Sequence, residues 1–289
     1  MRILKKIYYF LVFSNLLIAL AAYVQCGLTY LILNKSPNSF VLAIEGTATL
    51  LLYNFSILLS KPKKPQESPY LRTRWIFKNE WLLWTTSILA FGLLTYALMQ
   101  VHMYTLLFLA GIGMLSLGYT LPLFKINGVR SGLRQLPGLK LFHIALIWSL
   151  SSVGLPVIQL WAEGNQLDWY SANYLGIAKI IFLLLCTLPF DIRDIRQDSY
   201  YHLKTIPNML GEKKAIRLCY ILVLIHSVLV LCSPYDNGIV IGLFLTNLIV
   251  VLAMRFVIFQ RIERYHYVYL LDMALIVQFL ICGLTLYIV

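Results

Sequence analysis

Charge of one sign is nearly missing from this chain. Only 12 of its 289 residues are acidic, against 24 basic, and charged residues of both signs make up 12%. That is about half the charged fraction of ordinary soluble domains, which excludes a water-soluble globular chain of usual composition. Cysteine is scarce too: Cys26, Cys186, Cys219, Cys232 and Cys282 fall singly in apolar surroundings. Their spacing forms neither a metal-binding set nor a disulfide framework, so all five are expected to be small buried residues. A glycine-rich phosphate loop and a Ser-His-Asp order are also missing.

What is there is hydrocarbon. Hydrophobic residues make up 60% of the chain, and apolar runs of about 20 residues recur with short polar breaks. Nine spans are expected, over 7–33, 40–60, 81–100, 104–124, 142–161, 174–190, 213–232, 238–259 and 266–288. The first is longer than a cleaved signal peptide, and no small-residue cleavage pattern follows it. The pattern predicts an all-α, polytopic membrane bundle of about nine transmembrane helices, a single domain over 1–289. Flexible loops are expected near 61–80 and 191–212. Gly111, Gly113, Gly118, Gly154 and Pro156 stand inside spans, where they permit close helix approach or a kink.

The basic residues test this map. Of the 24, 22 fall in alternate loops on one side or in the span ends that border them; only Lys35 lies opposite, and Lys179 lies in the middle of a span. The positive-inside bias then places the N-terminus in the cytoplasm and the C-terminus outside, in the inner or plasma membrane. The net charge of +12 is accounted for by these loops, which suit anionic lipid head groups and require no nucleic acid. Lys179 and Asp272 are read as paired or snorkelling side chains, with a proton path as the other reading. His143, His226, Asn15, Asn173 and Asn247 are expected to pack or to make one helix–helix hydrogen bond.

The scarce acids gather once, in FDIRDIRQDSYYHLKTIPNMLGE over 190–212. On a helix at about 100° per residue, Asp191, Asp194 and Asp198 fall within about 60° of one another. Carboxylates on one stripe repel. A divalent cation such as Mg²⁺ relieves that repulsion and takes one or two carboxylates, waters and substrate phosphates as ligands. The other reading is a solvated helix end whose acids pair with Arg193, Arg196 and Lys204.

These residues resemble the second aspartate motif of the UbiA superfamily of intramembrane prenyltransferases. The match runs through Asp191, Asp194 and Asp198, then Lys204-Thr205-Ile206-Pro207 and Leu210-Gly211. The stretch GYTLPLFKINGVRSGLRQLPGLKLFHIALIW, 118–148, is similar to that family's fourth-to-fifth helix connection, and nine helices with a cytoplasmic active face are its usual architecture. The resemblance implies a prenyl diphosphate bound with Mg²⁺, and transfer of the prenyl group to a small acceptor. That acceptor is a quinone precursor, a porphyrin or a glycerol phosphate; the sequence does not choose, nor does it give the oligomeric state. Asp191, Asp194 and Asp198 are the implied metal ligands, with Asp194 and Asp198 central to catalysis. Asn54, Lys125, Arg130 and Lys204 would hold the diphosphate, and the Tyr119 ring would face the allylic cation.

The first motif departs from the family's pattern. In YNFSILLSKPKKP the asparagine, Asn54, fits, but Leu58 and Pro62 occupy the acidic positions. The nearest acids are Glu45 and Glu67, and His202 stands where the family commonly has glycine. Lys61, Lys63 and Lys64, beside the lost positions, are the expected substitutes for metal charge. Two other functions stay open on these residues. One is an isoprenoid- or lipid-binding protein whose first half-site has decayed. The other is a transporter, suggested by nine spans with Asp272 and Lys179, against which stands the lack of an inverted hydropathy repeat.

Overall fold

The computed structural model describes residues 2–120, 124–126, 129–131, 138–200, 204–260 and 267–289. Its apolar runs are helices because a backbone in hydrocarbon must satisfy its own hydrogen bonds. α1 (Arg2–Phe13) and α2 (Leu16–Ile32) meet at a 74° bend, where Asn15 takes a left-handed φ of 62°. α3 (Ser39–Leu59) starts at Asn38, whose side-chain oxygen accepts from the backbone N–H groups of Phe40 and Val41. α4 (Leu71–Lys78) is short and leads into α5 (Glu80–Leu98) and α6 (Met103–Thr120). A two-stranded hairpin follows, β1 (Phe124–Ile126) against β2 (Val129–Ser131), with Lys125 directly opposite Arg130. Asn127-Gly128 stands between the strands, the strongest short hairpin signal a sequence carries.

α7 (Leu139–Ser149) and α8 (Leu155–Ala162) form one span through a π-helical turn, Leu150–Gly154. α9 (Trp169–Arg193) follows, capped by Asp168, whose carboxylate accepts from the Tyr170 N–H and the Ser171 hydroxyl. The Ser171 hydrogen bond holds that exposed carboxyl below its ordinary pKa. Then come α10 (Ile195–Tyr200), α11 (Ile206–Leu210), α12 (Glu212–Leu231), α13 (Asn237–Ala253) with a second π turn at Met254–Ile258, and α14 (Leu270–Ile288). Among the described residues, seven helical stretches are long and apolar enough to cross a membrane, against the nine expected; the bent α1–α2 pair counts as an eighth if it is one span, and α6 is apolar but shorter. This is an integral membrane protein with an all-helical bundle, and the hairpin is the one addition to the expected all-α class.

α9 is the hub, with 67% of its span buried against 17% for α5. α5 leans on α3 and exposes Trp81, Trp84, Ile88, Leu89 and Phe91. Such a surface is what lipid tails, not water, solvate. The interior is tied by polar contacts across helices. Lys179 on α9 donates to the Gln25 side-chain oxygen, and Gln25 in turn donates to the Leu275 carbonyl (2.7 Å) and the Gln278 side chain (3.0 Å). Glu45 accepts from Ser151 at 2.7 Å, and Thr29 donates to the Ser152 carbonyl at 2.7 Å. Both partners lie in the π turn, where the altered backbone pattern frees carbonyls for such contacts. Lys179 is therefore paired, as expected. His226 meets Asn247 at 2.8 Å, the helix–helix hydrogen bond expected of it, and Asn247 also donates to Ser227 at 2.9 Å, so two bonds join α12 to α13.

Other expectations change. Gly111, Gly113 and Gly118 face open space, and only Gly154 is crowded, by the Phe108 ring. The tightest backbone approach is between α13 and α14, where a Cβ on Gly238 or Gly242 would come within 2.8 Å of atoms on α14. Gly238-x-x-x-Gly242 is a small-residue seam, and its partner helix carries part of the site. Cys232 is exposed; the other four cysteines are buried. The 61–80 segment is not irregular throughout: after the prolines it forms α4, with Ile76 buried and Trp75 against Phe13 at a ring distance of 5.6 Å. Pro62, Pro65 and Pro69 confine the irregular backbone to its first half.

Candidate functional site

A cavity of about 240 Å³ lies where the α1–α2 bend, α3, α4, α7, α9 and α14 converge. Its depth is apolar, with Leu17, Ile18, Leu141, Ile144, Leu183 and Leu275 on the wall. Its polar mouth carries Asn15, Arg72, Lys140, Asp191, Arg193, Asp194 and Asp272. Pro189 interrupts α9 just before these acids, removing one backbone donor and loosening the last turn. α9 ends at Arg193, and the chain restarts as α10 after Asp194.

That break sorts the three aspartates. Lys140 places its Nζ 2.8 Å from Asp191 Oδ1 and 3.4 Å from Asp198 Oδ2, so two carboxylates share one ammonium. Both are nearly buried, with side chains 7% and 9% exposed. Asp194 has a partner of its own: Arg193 donates through Nε and Nη2 to its two oxygens, each at 2.7 Å. The Arg193 guanidinium also lies 5.2 Å from the Phe190 ring centre and 5.7 Å from that of Tyr269, two rings that meet edge to face, so it packs against both as well as being forked.

The facing wall is built by α4 and the α1–α2 bend. Arg72 donates from Nη2 to Asn15 Oδ1 and from Nη1 to the Tyr269 hydroxyl, each at 2.8 Å. Asn15 donates in turn to Asn54 Oδ1 at 2.8 Å. Asn54 is fully buried one layer behind the wall, donating to Ser87 (3.0 Å) and Thr86 (3.2 Å) of α5. It clamps α3 to α5 and fixes Asn15, so the structure corrects the direct diphosphate contact expected of it. Asp272, in the first turn of α14, faces the same cavity in the field of Arg72 and Arg193.

The expected lysines also move. Lys61 pairs with Glu80 at 2.6 Å and Lys64 with Glu67 at 2.9 Å; neither lines the cavity, and nor does Lys63. Leu58 packs into an apolar cluster with Phe13, Ile76 and Leu83. The cation beside the lost acidic positions is Arg72, which also lines a neighbouring cleft with Pro62 and Ser60. Replacing Lys63 and Lys64 together by alanine should leave diphosphate affinity within about twofold, as exposed ion pairs contribute little; calorimetric titration with inorganic diphosphate checks it. Lys204 is exposed, and its backbone carbonyl accepts from the Gly138 N–H at 2.8 Å, joining α7 to the α11 segment. The side chains of Tyr119, Lys125 and Arg130, and all of His202, lie outside the described residues.

Asn15, Arg72, Lys140 and Asp272 thus join the site without having been marked for it. Arg72 and Lys140 look like ordinary loop cations in the sequence, and Asn15 like a packing residue. The only signal was negative: a polar Asn15 and an acidic Asp272 inside otherwise apolar runs.

The donor set admits one divalent cation. Two buried carboxylates already converge on a single positive centre, the ammonium of Lys140. Among the described residues, however, no three acidic, imidazole or thiol groups come close enough to hold an ion by themselves. Such a cation would take its remaining ligands from water and a bound phosphate group. The opposite wall offers an arginine and an amide instead of a second carboxylate pair.

No protein-family model matches the chain, and no curated protein matches it by sequence. Solved structures do. A UbiA homologue from Archaeoglobus fulgidus bound to GPP and Mg²⁺ superposes with a TM-score of 0.62 at 13% identity, covering 96% of this chain and 99% of the other. The same homologue bound to DMAPP and Mg²⁺ gives 0.61 over the same shares, again at 13% identity. A structure of digeranylgeranylglyceryl phosphate synthase gives 0.54 at 12% identity, over 98% of each chain. The chain has the UbiA-type fold along nearly its whole length.

Proposed function

We propose that this chain is a membrane prenyltransferase that binds a prenyl diphosphate at the cavity mouth and passes the prenyl group to a small acceptor. The observation that carries the reading is the cavity itself. It sets three cations, Arg72, Lys140 and Arg193, against an acidic cluster at one end of an apolar pocket. A ligand with a multiply charged head and a hydrocarbon tail fits that division. The fold supports it, since structures sharing that fold hold GPP or DMAPP with Mg²⁺. The excess of Lys and Arg in alternate loops puts the mouth at the cytoplasmic face.

In the reaction, the bond between the prenyl C1 and the diphosphate oxygen breaks, and its electron pair leaves with the diphosphate. A nucleophilic atom of the acceptor bonds to C1 and gives up its proton. Asp191 and Asp198 would hold Mg²⁺, which when bound supplies charge to neutralise the leaving diphosphate. Lys140 and Arg72 bring point and forked donors to phosphate oxygens. Such preorganised donors favour the separated charges most strongly in a cavity poor in water. The rings of Phe190, Tyr269 and Trp148, all on the wall, offer π faces to the allylic cation.

Purified protein in lipid nanodiscs, given Mg²⁺, prenyl diphosphates of several chain lengths and a panel of acceptors, should release diphosphate and form a prenylated product. Arg72→Ala should weaken substrate binding by about 10²-fold, as expected for losing a charge-assisted contact to phosphate, with Arg72→Lys recovering part. Tight binding of the prenyl diphosphate without any release would replace this reading with an isoprenoid-binding protein. The internal pairing of Asp194 with Arg193 favours that second reading. No binding at all would remove both.

A further inference from the structure

The two ion pairs at the cavity mouth differ in kind. Arg193 and Asp194 are sequence neighbours joined by two parallel hydrogen bonds, and two aromatic rings hold the guanidinium in place. Lys140 instead reaches from the second residue of α7 to acids 51 and 58 positions away, through a flexible four-carbon stem. Its contacts are unequal, 2.8 and 3.4 Å, and its side chain keeps 23% of its surface exposed beside two almost buried carboxylates. One ammonium between two carboxylates leaves a net negative charge in a poorly solvated place. A fixed fork resists exchange, whereas an ammonium on a flexible stem that already lines the cavity does not.

We propose that Lys140 is a resident counter-ion. It keeps the place of a divalent cation between Asp191 and Asp198, and yields that place when the cation enters. Without it, two nearly buried carboxylates would repel each other across the mouth. With the cation seated, the ammonium is displaced toward the cavity, where it meets the phosphate group of a bound ligand. This last step rests on the prenyl diphosphate reading; the exchange itself does not.

The test uses full-length protein in detergent and, first, Mn²⁺ alone, with free Mn²⁺ read by electron paramagnetic resonance. Lys140→Met removes the competing charge and should bind Mn²⁺ about tenfold more tightly than the wild type, since a unit charge within 4 Å of the ligands is lost. A folded Lys140→Met protein with unchanged or weaker Mn²⁺ affinity would make Lys140 a structural strut and overturn the proposal. Should that variant not fold, the wild type decides. Acylation of Lys140 by a water-soluble active ester, followed by peptide mass spectrometry, should rise when Mg²⁺ is added; a rate indifferent to Mg²⁺ overturns the exchange. With Mg²⁺ saturating, inorganic diphosphate should bind Lys140→Met about tenfold more weakly, and equal affinity would overturn the displacement toward phosphate. The Mn²⁺ and acylation arms contain no prenyl compound, so failure of the transferase reading leaves them standing.

Discussion

Replacing Asp191 and Asp198 together by asparagine should lower prenyl transfer by about 10³-fold while the bundle remains folded. The two side chains are the nearly buried pair that converges on one positive centre. No third acidic, imidazole or thiol group among the described residues is close enough to take over a cation there. Neutral amides keep the shape and can still accept from the Lys140 ammonium. The Lys140 ammonium, 23% exposed, then keeps hydrogen-bond acceptors but loses its counter-charges, which should cost less than the roughly 3–5 kcal/mol of a fully buried unpaired charge. What it removes is the negative charge that draws a divalent ion to the mouth. The checks are turnover against Mg²⁺ concentration and an unfolding curve in the same detergent. Activity above a tenth of the wild type in a folded double variant would take Asp191 and Asp198 out of the chemistry. Asp194 offers a contrast within the same cluster: its oxygens are already engaged by Arg193, so its substitution should act on the position of that guanidinium.

The second large effect is on stability. Gly242→Val should destabilise the protein by about 3 kcal/mol or more, measured by denaturant unfolding in detergent. A Cβ at that position would come 2.7 Å from the Cys282 Cα and 2.6 Å from Thr285 Oγ1. Backbone cannot step aside as a flexible side chain can, so α14 would have to move off α13. That pair is the most extensive helix contact in the bundle. In lipid no hydrophobic gain drives helices together, so close van der Waals packing carries more of the association. The displacement would also be felt at the site, because α14 and the turn before it carry Asp272 and Tyr269 to the cavity. Gly92 is the matched control. A Cβ there meets nothing within 4 Å, and Gly92→Ala should be neutral or stabilising by up to about 1 kcal/mol. Equal losses at both positions would mean that the α13–α14 seam is not the tight contact described.

The apolar spans were legible because partition into lipid is local and additive. Each run of about 20 apolar residues makes its case without reference to the others. The clustering of Asp191, Asp194 and Asp198 was legible for a similar reason: in a chain this poor in acids, any group of three stands out. The sequence marked Asn54 as the one residue of the first motif that remains. It could not say that the amide faces α5 and Asn15, because which side of α3 meets which neighbour depends on every other helix in the bundle. The same limit misplaced the compensating charge. Lys61 and Lys64 are close in sequence to the lost acids, yet each finds a nearer carboxylate, Glu80 and Glu67.

Sequence alone, then, determined the solvent of this protein, its helical class and the gathering of its acids at the end of one helix. Each of these depends on composition summed along a single stretch of chain. Tertiary structure decided which cations face those acids. Lys140 meets Asp198 across 58 positions, and Arg72 meets Tyr269 across 197. The physical reason is that an ion pair in a low-dielectric mouth depends on a few ångströms of separation. Those ångströms are set by the bend at Asn15, the π turn in the α7–α8 span and the break after Arg193, none of which hydropathy records.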